Sequence, residues 1–106
     1  MMKVEISPAI KADPILLGAV RRDQDLFEAK YGRGSDAVSA DRSLHHDDLG
    51  RPLIRLEISD EDGSAEAVFK TEDLEDVRRL MYRLNWIWGD LLQIQSHKLL
   101  DEIRAA

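Results

Sequence analysis

From Thr71 to the last residue, Ala106, the chain contains no proline, and its apolar residues recur at helical spacing. A single helix over this stretch constrains everything else the chain can do. Thr71 supplies an N-cap, and Glu72, Asp73, Glu75 and Asp76 crowd the first turns, where carboxylates complement the positive helix end. Set Leu84 at zero and turn 100° per residue. Leu74, Val77, Leu80, Met81, Ile87, Trp88, Leu91, Leu92, Ile94 and Leu99 then fall on one broad stripe, which reads as core. Trp86 does not. It lies on the opposite side with Tyr82 and Leu100, beside Arg79, Arg83 and Asp90, because residues two apart on a helix face different ways. Tyrosine, tryptophan and arginine are the residue types that dominate contact hot spots, so this thinner line reads as a partner surface.

Length sharpens the point. About 33 helical residues at 1.5 Å each span about 50 Å, whereas a domain of this size has a radius of gyration of about 13 Å. The helix either breaks near Gly89 and folds back or overhangs the body. An overhang exposes Leu91, Leu92, Ile94, Leu99 and Leu100 and calls for a second chain. The expectation is a homodimer or another protein partner.

The rest of the chain reads as a small domain beneath this helix. "KVEIS" (3–7) alternates with Val4 and Ile6 on one face and ends at Pro8, a short strand. Asp13-Pro14 is an N-cap followed by proline at the first helical position, and the spacing predicts a helix from Pro14 to Tyr31, ended by Gly32. Residues 32–50, rich in Gly, Ser and Asp, show no sustained period and read as a long mobile connection. Residues 52–59 and 64–70 alternate around "DEDG" and form a hairpin, with Ile54, Leu56 and Ile58 inward. The expected order is βαββα: one α+β domain over residues 1–106, a short antiparallel sheet packed on a helix and a long C-terminal helix.

Charge is unevenly placed. The formal net charge is −6, but residues 36–76 hold 13 Asp+Glu against 4 Lys+Arg, or −9, and the remainder carries +3. A central acidic region opposes direct nucleic-acid binding and suits a basic protein partner. Asp47 and Asp48 in the connection, and Asp60 and Asp62 in the hairpin turn, are the candidate contacts. No apolar run is long enough to span a bilayer. There is no cysteine, which excludes thiolate chemistry and fits a cytoplasmic protein.

Catalytic constellations are weak. His45, His46 and Asp47, with Asp41 and Asp48 nearby, offer metal-ligand types, but adjacent residues project in different directions and lack the i, i+4 spacing that aims two histidines at one ion. Ser39 and Ser43 share the connection with these histidines, without a nucleophile elbow. "YGRGSD" (31–36) resembles a phosphate cradle only faintly and follows a helix instead of preceding one. Arg78, Arg79 and Arg83 beside Tyr82 and Trp86 could stack on single-stranded nucleic acid, but the acidic turns before them argue against it. The reading is a cofactor-free, non-enzymatic binding module. Its first expectation is an inhibitor, immunity or anti-defence protein that occupies a basic, nucleic-acid-binding surface of its target. The alternatives are a dimeric structural or chaperone-like subunit and a metal-dependent enzyme built on His45, His46 and Asp47.

Overall fold

The chain begins with β1 (Lys3–Ile6), a one-turn helix α1 (Pro8–Lys11) and α2 (Pro14–Tyr31). It continues through β2 (Ser39–His46), β3 (Pro52–Ser59), β4 (Ser64–Lys70), a 3-10 turn at Thr71–Leu74 and α3 (Val77–Ala105). This computed structural model describes residues 2–32 and 37–105. The four strands form one sheet in the order β1-β2-β3-β4. β1 and β2 are parallel, and the other two pairs are antiparallel. A helical crossover returns the chain to the end where it started, so β1 and β2 must run the same way. The tight turns that follow reverse it each time. The result is a small α+β domain.

Proline stands at the first position of both α1 and α2. Ser7 precedes α1, and Asp13 caps α2 through Oδ1, which accepts from the backbone N–H groups of Ile15 (3.1 Å) and Leu16 (3.2 Å). The last helix starts later than expected. Thr71 opens the 3-10 turn instead, and Asp76 caps α3, its Oδ1 accepting from the Arg79 N–H at 3.2 Å. From there α3 passes through Gly89 without a break.

The largest departure is β2. Eight residues of the expected connection, Ser39–His46, form a central strand, so the sheet is four-stranded and mixed. Its inward positions explain why it reads as a loop. They are Ala40, Arg42 and Leu44, and a charged residue interrupts the apolar alternation. Arg42 is fully buried and forms a salt bridge with buried Asp23 of α2. Its guanidinium also donates to Gln24 Oε1 at 3.1 and 3.0 Å. Burial pushes the Asp23 carboxyl above its ordinary value and the Arg42 guanidinium below its own, each opposed by the other's charge.

One face of the sheet is covered. Ile54, Leu56 and Ile58 of β3 and Phe69 of β4 meet Val20 and Phe27 of α2 and Leu80, Leu84, Ile87 and Leu91 of α3. Trp88, half-buried, stacks on Tyr31 at 4.8 Å and stands edge-on to Phe27. The hairpin register puts Ala65, Ala67 and Phe69 inward and leaves Val68 outside. At its tip, Gly63 lies so close to α3 that a β-carbon there would sit 2.9 Å from Ile94 Cγ2. Leu91 belongs to the core, contrary to the expected overhang, but every residue from Ser96 to Ala105 is exposed. The molecule measures 51 × 31 × 26 Å.

Candidate functional site

The helices cover one face of the sheet and leave the other open. Strand alternation then dictates which side chains that open face carries. The register places Glu5 of β1 opposite Asp41 of β2, Asp41 opposite Glu57 of β3, and Glu57 opposite Glu66 of β4. Four carboxylates therefore form one row that crosses every strand of the sheet. At a strand spacing of about 4.8 Å the row is about 14 Å long. Like charges directly opposite each other on a sheet are destabilising, each pair by a few tenths to about 1 kcal/mol.

Arg55 of β3 relieves half of this row. Its guanidinium pairs with Glu57 at 2.8 Å and with Glu66, and the hydrogen bonds it donates to Glu66 are the main reason its own pKa rises. Glu5 and Asp41 are exposed and have no cationic partner among the described residues. The sequence hides this row. Glu57 and Glu66 follow from hairpin arithmetic, since Ser59 pairs with Ser64 across a four-residue turn. Asp41 and Glu5 need β2, which the buried arginine conceals.

Of the four aspartates expected to meet a partner, Asp47 and Asp60 hold their own turns. Asp47 Oδ1 accepts from the backbone N–H groups of Leu49 and Arg51, both at 2.9 Å, and its Oδ2 accepts from Arg51 Nε at 2.7 Å. The Arg51 N–H contributes most to holding the Asp47 carboxyl below its ordinary value. Gly50 closes this turn with φ of +77°, a conformation that favours glycine. In the hairpin turn, Asp60 Oδ1 accepts from the N–H groups of Asp62 (2.8 Å) and Gly63 (3.2 Å), and Oδ2 accepts from Gln95 of α3. Burial alone would raise the Asp60 carboxyl, but these bonds and the charge of Lys98 outweigh it and hold it low. Asp62 pairs with Lys98 at 2.8 Å. Of the four, Asp48 has no partner among the described residues.

On α3, Tyr82 and Trp86 are 63% and 61% exposed and meet edge to face at 6.3 Å. Residues 37–50 do not cover them, because that segment has joined the sheet. Leu100 is also exposed. Arg79 and Arg83, expected to flank the aromatics, turn toward Asp73 at 3.4 and 3.6 Å, and Arg83 also lies over the Phe69 ring at 4.6 Å. These arginines tie α3 to the 3-10 turn and to β4.

The remaining chemistry does not converge. His45 and His46 are consecutive strand residues on opposite faces of β2, and Asp47 is committed to its turn, so the His45-His46-Asp47 grouping is not assembled. Among the described residues no three His, Asp or Glu side chains are placed to hold one metal ion. Ser43 and His45 do meet, at 2.9 Å, but on the exposed sheet face and, among the described residues, with no carboxylate on the other ring nitrogen. A concavity of about 490 Å³ between α2 and the 3-10 turn is lined by Ile15, Leu16, Leu44, His46 and Glu75 among others, without a paired nucleophile and base. Of the Tyr31–Asp36 stretch, residues 33–36 lie outside the described residues. Among those described, no helix is long and apolar enough to cross a membrane. In comparisons with known proteins, no family, no curated protein and no solved structure matches this chain.

Proposed function

We propose that this chain is a non-enzymatic protein-binding module, of the inhibitor, immunity or anti-defence kind, that lays the open face of its sheet on a basic surface of another protein. The observation that supports this is the unbroken carboxylate row Glu5–Asp41–Glu57–Glu66, in which Arg55 pairs with Glu57 and Glu66, while the lysines of the face, Lys3 and Lys70, stand at its margins. In the free protein the row is electrostatically unfavourable. A cationic surface turns the same charges into an attraction, which raises the association rate and fixes the docking register. The carboxylates stand in line, as phosphates do along a nucleic-acid strand, so a groove that binds nucleic acid is a suitable target. Direct contact with nucleic acid is opposed by like charge. The cytoplasm is the compartment this reading expects, and it requires no cofactor.

Two charge-matched variants test it. The first neutralises the row (Glu5→Gln, Asp41→Asn, Glu57→Gln, Glu66→Gln). The second neutralises the turns (Asp47→Asn, Asp48→Asn, Asp60→Asn, Asp62→Asn), where asparagine keeps the oxygen that accepts from the turn backbone. Binding to a lysine- and arginine-rich peptide is measured by fluorescence anisotropy over a salt series. The row variant should lose about tenfold or more in affinity, about 1.4 kcal/mol, and the turn variant much less. Equal losses would reduce the attraction to net charge and remove the sheet face from the account.

A further inference from the structure

The sheet face leaves the outward side of α3 unexplained, and that side has the pattern of a helix made to lie against a copy of itself. Tyr82, Trp86, Leu92, Leu99, Leu100 and Ile103 are all exposed. With Gly89 and Ser96 included, positions 82, 86, 89, 92, 96, 99 or 100, and 103 succeed one another every three or four residues. They form one ridge along α3 that drifts from the side opposite the core at Trp86 to its flank at Leu92 and Leu99. From Tyr82 to Ile103 it is about 32 Å long. The last ten residues of α3 are all exposed, tied to the body through the Lys98–Asp62 ion pair, and a helical stretch of that length has little stability of its own.

We infer that the ridge of α3 is a homodimer interface in which two copies of the helix pack antiparallel, centred near Leu92 and Gln93. Three features of the ridge select this occupant. First, the two halves complement each other. Reversing one copy about that centre sets the aromatic pair Tyr82 and Trp86 over the exposed Leu99 and Ile103 of the other, twice by symmetry. Gly89 then meets Ser96, two small residues where the helices cross. A β-carbon at Gly89 would find open space within its own chain, so its own fold gives no packing reason for glycine there.

Second, charge selects the direction. A parallel pair would set Arg83 on Arg83, Asp90 on Asp90 and Asp101 on Asp101. The antiparallel pair sets Asp90 near His97 and leaves Arg83 with Asp73 and the Phe69 ring of its own chain. Its one like pair, Arg79 with Arg104, is relieved by Asp73, which lies 3.4 Å from Arg79. Third, the area suffices. At these exposures the two aromatics and four aliphatics of the ridge offer roughly 450 Å² of apolar surface per copy. With a polar rim in the usual proportion this approaches the ~800 Å² per partner of a standard stable interface.

Cysteine crosslinking in the full chain tests both the interface and its direction, because the native sequence has no cysteine to compete. The mass of the wild type is first measured by light scattering over a concentration series. Leu92→Cys and Tyr82→Cys are then oxidised mildly under native conditions, with circular dichroism checking that each is folded. Both positions are exposed, so neither substitution removes core packing. A disulfide needs Cα atoms within about 7 Å. A dimer in which Leu92→Cys crosslinks to itself, while Tyr82→Cys does so only when mixed with Ile103→Cys, is the expected result. A monomer at all concentrations overturns the inference. Self-crosslinking of Tyr82→Cys as readily as Leu92→Cys overturns the antiparallel arrangement, and a dimer that crosslinks at neither position places the interface elsewhere. None of these outcomes depends on the sheet face.

Discussion

A buried arginine on a central strand decides both how this fold is held and how it is read. Arg42 and Asp23 are each fully enclosed, and neither keeps its ordinary proton affinity. Breaking such a pair leaves a lone buried charge and costs about 3–5 kcal/mol, whereas replacing both partners with apolar residues is often neutral. Asp23→Ala should therefore destabilise by about that much in urea unfolding, and Asp23→Leu with Arg42→Met should recover most of the loss. A double variant as unstable as the single one would make the pair itself stabilising. The same residue explains the misread strand. In "SADRSLHH" the inward residues are small, charged, aliphatic and histidine, so no period-2 apolar signal survives. The strand is specified by tertiary contacts from α2, which no local pattern records.

At the scale of elements, the turns and helix ends were largely legible, because their chemistry is local. Asp13-Pro14, the "DEDG" turn and the inward set of β3 stand where the residues put them. Gly63 is different, since its reason lies 31 residues away at Ile94. Gly63→Ala should cost about 1–3 kcal/mol by overpacking against that stiff, branched side chain, and Ile94→Ala in the same chain should return much of it. The two turn aspartates set an acid limit. Asp47 and Asp60 are both held below the ordinary aspartate value. The stability they add is present above the unfolded pKa, about 3.9, and is lost as pH falls through their lower folded values. Asp47→Asn with Asp60→Asn should flatten the acid side of the stability curve below about pH 4. An unchanged acid limb would assign acid unfolding to other groups. On α3, Gly89→Ala should stabilise the isolated chain by about 1 kcal/mol while weakening self-association, a split readable from unfolding at low concentration and from the dissociation constant.

The whole molecule presents two unlike surfaces on opposite sides. The helix layer ends in an apolar ridge, and the open sheet face carries a charged row. A dimer through the ridge would leave two acidic faces outward, each free to meet a target. The sequence showed that Trp86 could not share the core with Trp88, and that the middle of the chain is acidic. It could not show where the acid is concentrated, because four residues from four strands become neighbours only once the register is set. Removing the row's repulsion should also raise the melting temperature of the free protein, a prediction that a purely structural row would not meet.

The most direct measurement is a map of backbone amide shifts by NMR as the lysine- and arginine-rich peptide is titrated in. The account predicts that the largest changes fall at Glu5, Asp41, Glu57 and Glu66 and their cross-strand neighbours, and weaken together as salt rises. Changes centred on the turns at Asp48 and Asp62, or spread evenly over the acidic surface, would contradict it.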